Sequence, residues 1–235
     1  MEDTPEPQPQ VQPTVAAITG PQEAVVTRGL VGINVAISAL ALLMSGSLRS
    51  LSEAVLLDWA AFGPAVANGE WYRIISSAFL HDGPLHLGFN MFALAMIGQQ
   101  LERVFGWVRY VGIYFGSLAG GALGIFLLDP NAYTVGASGA VFGLFGAAAV
   151  AQRFAGINPW ESGLGVVLGI NLVITFTVPN ISVGGHVGGL IAGVVVSGVL
   201  GGLARRRQPP WMTYAFIGVS IVAMVAAAIW AAGNG

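Results

Sequence analysis

Residues 136–154, GASGAVFGLFGAAAVAQRF, join a run of small residues around a serine to a long apolar stretch. The stretch carries no charge before Arg153 and approaches the roughly 20 helical residues that span a hydrocarbon core. Because a segment in lipid must satisfy its own backbone hydrogen bonds, it predicts an α-helix rather than a strand. Polar groups in such helices are costly and therefore point to function. We expect a membrane protein with a functional serine, Ser138, near one end of a spanning helix.

The composition of the whole chain agrees with a membrane protein. Of its 235 residues, 55% are hydrophobic and 9% are charged, whereas soluble domains carry about 25% charged residues. A chain this short cannot bury so much apolar surface in one water-facing globule. The net charge of −2 and the lack of a long basic run argue against a nucleic-acid partner. The absence of cysteine excludes disulfides and thiolate metal sites, and we expect no metal or organic cofactor.

Seven apolar runs predict seven membrane-spanning helices and an all-α fold. Their approximate ranges are 29–47, 85–103, 107–128, 135–154, 162–179, 182–203 and 211–233. The first connection, 48–84, is much longer than the others and contains several apolar and aromatic residues. This composition predicts a folded element at the membrane interface rather than a simple tether.

The runs divide the chain into three parts. Residues 1–27 are rich in Pro, Gln and acids, which predicts a disordered tail. Residues 28–203 contain six of the helices and the long first connection. Residues 204–235 contain an arginine-rich linker and the seventh helix.

Arginine placement predicts the orientation of these helices. With the N-terminus in the cytoplasm, seven of the nine arginines lie on the cytoplasmic side, and Arg49 and Arg73 lie outside. Cytoplasmic loops favour arginine and lysine, so we expect a cytoplasmic N-terminus and an extracytoplasmic C-terminus. The chain has no lysine and is rich in Ala and Gly, which favours a bacterial plasma membrane protein.

Four polar groups are predicted to share one shallow layer of the membrane. His86 and Asn90 begin the second span, Ser138 the fourth and His186 the sixth, and these three spans all run inward from the outer face. At a rise of about 1.5 Å per residue, all four lie within one or two turns of that face. Three spans far apart in sequence therefore place polar groups at the same depth.

Glycine spacing predicts that the fourth and sixth spans pack closely. Both spans carry small residues four positions apart, which lets helix backbones approach in lipid. These residues are Gly139, Gly143 and Gly146 in the fourth span, and Gly185, Gly189 and Gly193 in the sixth. Such a contact would bring Ser138 and His186 toward hydrogen-bonding distance.

This pairing would permit nucleophilic acyl transfer. A serine hydroxyl needs a neighbouring base to take its proton, and neutral imidazole suits that task. No carboxylate lies deep in the spans at the level of Ser138, so we predict a Ser138–His186 dyad rather than a triad with a buried acid. The backbone N–H of Ser138, the amide of Asn90 and His86 are the candidate donors to an oxyanion.

Each motif alone also permits a structural interpretation. The serine motif could serve only helix packing, and His86, Asn90 and His186 could be polar contacts between helices. Two other functions stay open as well. A proton-responsive channel or transporter would use His86 and His186, and a non-catalytic scaffold would hold membrane proteins without cutting them.

Together, the motifs resemble the rhomboid family of intramembrane proteases between about Trp59 and Leu203. The matching segments are GEWYRIISSAFLH (69–81), HLGFNMFALAMIGQQLERVFG (86–106), GASGAVFGLFG (136–146) and GHVGGLIAG (185–193). The resemblance implies a six-helix core, here followed by one additional C-terminal helix, that opens to water from the outer side. It also implies cleavage of transmembrane helices, typically of single-pass proteins, and it leaves the oligomeric state open.

The resemblance assigns roles to individual residues. It implies the dyad of Ser138 and His186, with Asn90 and His86 stabilising the transition state. The supporting residues that it implies are Trp71, Arg73, Glu102, Gly136, Gly139, Phe142, Gly189 and Gly193. Among them, Phe142 is expected to pack under His186.

Overall fold

The computed structural model describes residues 23–235, and within that range the regular structure is helical. Seven long helices occupy the positions of the seven predicted spans, which confirms their helical character. They are α1 (Val25–Met44), α5 (Pro84–Phe105), α6 (Trp107–Leu128), α7 (Ser138–Phe154), α8 (Leu164–Thr177), α9 (Val183–Arg205) and α10 (Pro210–Asn234). The part of the predicted tail at positions 1–22 lies outside the described residues, and positions 25–27 already belong to α1.

The helices differ in their capacity to cross a membrane. Within residues 23–235, α1, α6, α9 and α10 are long and apolar enough by length and composition. The other three long helices fall short for different reasons. Helix α5 contains charged and amide residues, while α7 has 17 residues and α8 has 14. At a rise of about 1.5 Å per residue, α7 is roughly 25 Å long, which is shorter than a hydrocarbon core of about 30 Å.

The first connection is folded, as its composition predicted. It contains three short helices and a 3₁₀ turn, namely α2 (Glu53–Trp59), α3 (Gly63–Ala67), α4 (Arg73–Ser76) and Ser77–Phe79. Ala61 and Thr134 exchange two backbone hydrogen bonds of 2.9 and 3.0 Å, and the N–H of Gly63 donates to the carbonyl of Pro130. The connection therefore holds the segment that leads into α7.

Close glycine contacts join α6, α7 and α9. An added Cβ at Gly189 or Gly193 would collide with the α7 backbone at Gly139 or Gly143, so the predicted α7–α9 contact is confirmed. The sequence analysis missed a second close contact, between α6 and α9. There, a Cβ at Gly124 would collide with the backbone of Gly184.

The remaining helices enclose this glycine-rich centre. Glu102 ties α5 to the start of α1, because its carboxylate accepts hydrogen bonds from the N–H groups of Val26 and Thr27 at 2.9 and 2.8 Å. Helix α10 packs on α6, where Ile217 meets Gly112, and its C-terminal end reaches α3. The end of α10, the first connection and the start of α7 thus lie at the same end of the bundle.

Candidate active site

Ser138 is the first residue of α7, at the end of a turn held by the first connection. The N–H of Gly136 donates to the carbonyl of Ser77 at 2.9 Å. Because the first N–H groups of a helix have no partner inside it, the N–H of Ser138 is free to bind an anionic oxygen. The turn therefore presents a hydroxyl and a backbone donor at the same residue.

Gly136 is required at this turn for two reasons. Its φ of +123° lies where residues with a side chain are strained. In addition, a Cβ there would lie 2.8 Å from Cε1 and Nε2 of His86 and 3.8 Å from Oγ of Ser138. The His86 ring and the Ser138 hydroxyl thus both border the space over Gly136. The same backbone conformation explains why α7 begins at Ser138, three residues after the predicted start of the span.

His186 lies in the first turns of α9, between the glycines that contact α6 and α7. Its ring stacks on Phe142 with centroids 4.0 Å apart and an angle of 17° between the planes. Its Nδ1 lies 2.7 Å from Oγ1 of Thr175 on α8. Within residues 23–235, no hydrogen bond joins His186 to Ser138. Catalytic hydrogen bonds are often long before substrate binds, and Nε2 of His186 is left available for a partner.

Ser138 borders a small cavity of about 30 Å³. Ser182, Gly185 and Thr134 also line it, together with apolar residues of α6. This volume matches about one water molecule. The serine therefore lies beside a small cavity that has both polar and apolar walls.

His86 and Asn90 occupy one face of α5. Nδ1 of His86 accepts a hydrogen bond from the backbone N–H of Asp82 at 3.3 Å, so the proton of the neutral ring lies on Nε2. That N–H borders the space over Gly136, where it can donate to an oxyanion. Asn90 is buried, and its Nδ2 donates to the carbonyl of His86 at 3.0 Å, which leaves its second N–H available.

His81 is a residue of this region that the sequence analysis did not single out. It is fully buried, and its Nε2 accepts a hydrogen bond of 3.4 Å from the N–H of Ala137, the residue directly before Ser138. Its Nδ1 lies 2.9 Å from Oγ of Ser38, which donates to the carbonyl of Phe79. Burial lowers the pKa of His81 to about 3, so the ring is neutral at ordinary pH. A histidine in a loop gives no sequence signal of such burial.

The remaining predicted residues lie farther from the serine turn. Arg73 is buried, donates to Glu70 and to the carbonyl of Ala60, and braces the first connection. Its guanidinium holds the pKa of the Glu70 carboxyl below the usual value. Trp71 is largely exposed, while Glu102 caps α1 at the opposite end of α5.

Metal-ligating side chains are not clustered in the part of the chain that the structure describes. Between positions 23 and 235, no group of three His, Cys, Asp or Glu side chains is placed to hold a metal ion.

Comparison with known proteins relates this arrangement to a family. The Rhomboid domain family model matches residues 68–203, which include Ser138 and His186. The chain is 33% identical to "Rhomboid protease GluP" of Bacillus subtilis over 153 residues, which cover 64% of this chain and 30% of that protein. It is 46% identical to "Putative rhomboid protease YdcA" of the same organism over 82 residues, covering 34% of this chain and 41% of that protein.

A fungal relative extends the comparison beyond bacteria. The chain is 34% identical to "Rhomboid-type serine protease 2" of Emericella nidulans over 128 residues, covering 52% of this chain and 25% of that protein. The matching part spans less than half the length of each of these curated relatives. The family model nevertheless covers more than half of this chain. With its apolar spanning helices, the chain is an integral membrane protein, and it belongs to the rhomboid family.

Proposed function

We propose that this protein is an intramembrane serine endopeptidase whose catalytic residues are Ser138 and His186. The observation that carries the proposal is the α7–α9 glycine contact, where the two backbones touch at Gly139 and Gly189. Ser138 directly precedes the first of these glycines, and His186 lies three residues before the second. The stacking of Phe142 on His186 further limits the orientation of the imidazole.

The first chemical step would be attack on a peptide carbonyl. The Oγ of Ser138 forms a bond to the carbonyl carbon while Nε2 of His186 takes the hydroxyl proton. Negative charge then develops on the carbonyl oxygen. The N–H of Ser138, Nε2–H of His86 and the amide of Asn90 are the donors available to stabilise it.

Collapse of the tetrahedral intermediate completes the cleavage. The C–N bond breaks, the imidazolium of His186 gives its proton to the leaving amine, and an acyl-serine remains. Water then attacks this ester with His186 again as base, which releases the carboxylate and restores Ser138. The cavity beside Ser138 has room for about one water molecule next to the hydroxyl, which supports this step.

We infer that the substrates are transmembrane segments of other membrane proteins, typically single-pass ones. An intact helix shields its carbonyl groups, so a substrate must unwind locally near the site. The placement of arginines supports a cytoplasmic N-terminus, an extracytoplasmic C-terminus and a site near the outer face. Substrates with helix-weakening residues in their outer third should therefore be cleaved best.

The test is cleavage in proteoliposomes that contain a fluorescent single-span substrate. Ser138→Ala and His186→Ala should each abolish cleavage while leaving the melting temperature near that of the wild type. Ser220→Ala is the matched control, because Ser220 is a helical serine of α10 that bonds only its own helix in the structure. A fluorophosphonate probe should label the wild type but not Ser138→Ala.

Three results would contradict the proposal. Cleavage that survives in Ser138→Ala would exclude this nucleophile. Binding of the substrate by the wild type without cleavage would instead support a non-catalytic scaffold. Solute or proton flux that depends on His186 would support a transporter.

A further inference from the structure

Thr175 is buried in α8, a helix whose other side chains are half-buried or exposed. Within α8, all of which the structure describes, the buried positions are Gly165 and Thr175, so Thr175 supplies the buried side chain. Large apolar residues around it, such as Val173 and Phe176, are more than 60% exposed. The buried side chain in the C-terminal half of α8 is therefore polar, and it contacts His186.

The hydroxyl of Thr175 has two neighbours but a single proton. Its Oγ1 lies 2.8 Å from the carbonyl of Asn171, one turn earlier, and 2.7 Å from Nδ1 of His186. The Asn171 carbonyl can only accept, so it forms a hydrogen bond only when the hydroxyl proton points to it. Both contacts are then satisfied when the Thr175 oxygen accepts from His186 and the ring carries its proton on Nδ1.

We propose that Thr175 is a positioning residue that holds His186 in the tautomer needed to act as base. With the proton on Nδ1, the lone pair of the ring lies on Nε2, at the edge turned away from α8, where it can accept the proton of Ser138. Phe142 fixes the plane of the ring, and Thr175 fixes its rotation within that plane. The inference rests on the proposed serine protease function and adds a third member to its dyad.

The neutral hydroxyl of Thr175 thus takes the place that a carboxylate holds in a serine–histidine–aspartate triad. It orients the imidazole without placing a charge in the membrane, where an ionised carboxylate is costly. Because a hydroxyl stabilises the imidazolium less than a carboxylate does, its main contribution is to orientation.

The experiment compares Thr175→Val, Thr175→Ser and Thr177→Val with the wild type in proteoliposomes. Valine keeps the shape of threonine but removes the acceptor, so kcat should fall about tenfold with KM unchanged, the size expected for one net hydrogen bond. Serine keeps the hydroxyl and should retain most of kcat. Thr177 bonds its own helix in the same way but is exposed, so Thr177→Val should match the wild type.

The second measurement is the ¹⁵N NMR spectrum of His186, which does not depend on activity. The wild type should show a protonated Nδ1 and an unprotonated Nε2 at neutral pH, and Thr175→Val should shift the ring toward the other tautomer. A protonated Nε2 in the wild type would overturn the proposal even if the valine variant failed to fold. So would a wild-type kcat in Thr175→Val.

These results separate the two proposals. An inactive wild type, or an active Ser138→Ala, would refute the proposed protease function. An active wild type whose kcat is unaffected by Thr175→Val would refute only the role of Thr175.

Discussion

At the residue scale, His81 links the pH dependence of folding to the serine turn. Its ring is buried and neutral, and its pKa is lowered to about 3 from 6.5. Between these values the unfolded chain binds a proton that folded His81 does not, so the contribution to stability is complete above pH 6.5 and is lost as pH falls toward 3. We expect the unfolding free energy in mild detergent to decline over this window.

The variant His81→Gln tests this assignment. Glutamine can accept the hydrogen bond from Ala137 but does not titrate, so the decline between pH 6.5 and 4 should become shallower than in the wild type. Above pH 7 the two proteins should show parallel, flat profiles. An unchanged slope below pH 6.5 would mean that His81 is not the titrating group.

Sequence reasoning found the polar residues that stand out in lipid and missed those that do not. Ser138 and His186 lie among glycines at the starts of spans, so their pattern pointed to a site. Thr175 gave no such signal, because threonines in membrane helices commonly bond the carbonyl one turn earlier. Only the structure shows that its hydroxyl oxygen also lies 2.7 Å from Nδ1 of His186.

At the scale of elements, the α7–α9 contact depends on glycine at positions where the backbones touch. A Cβ at Gly189 would collide with the backbone of Gly139, and the backbone of a packed helix cannot shift without a loss of stability. We expect Gly189→Ala to separate the helices, lower stability by about 1–3 kcal/mol and abolish cleavage. Thermal unfolding and the proteoliposome assay would measure both effects.

Gly198 provides the matched control on the same helix. A Cβ there meets nothing within 4 Å, so Gly198→Ala should leave cleavage unchanged and stabilise α9 by up to about 1 kcal/mol. If Gly189→Ala behaved in the same way, close contact would not be what holds α7 and α9 together.

The glycine pattern indicated that close helix contacts exist, but it did not identify every pair of helices that makes one. Helix α6 carries GSLAGGALG (116–124), a run of small residues comparable to those of α7 and α9. Spacing alone says that a helix has a face for close approach, whereas the choice of partner depends on how all the helices pack. This is why the α6–α9 contact appeared only in the structure.

At the scale of the whole molecule, the two ends of the bundle have different tasks. At one end, the first connection holds the segment before Ser138 through Ala61, Gly63 and Ser77, and α10 ends against α3. At the other end, Glu102 caps α1. The sequence predicted the seven helices and a folded connection. It did not predict these long-range hydrogen bonds, because each one has at least one partner in the backbone, which is alike at every position.

The orientation of the molecule can be tested directly because the chain has no cysteine. Asn131 lies in the α6–α7 connection beside the serine turn, Gln208 lies in the α9–α10 connection at the opposite end, and both are exposed. In intact cells, a membrane-impermeant maleimide should label Asn131→Cys but should label Gln208→Cys only after permeabilisation. The reason is that Arg205, Arg206 and Arg207 are expected to hold the α9–α10 connection in the cytoplasm. The reverse pattern would place Ser138 on the cytoplasmic side and move the predicted cleavage to the inner third of the substrate.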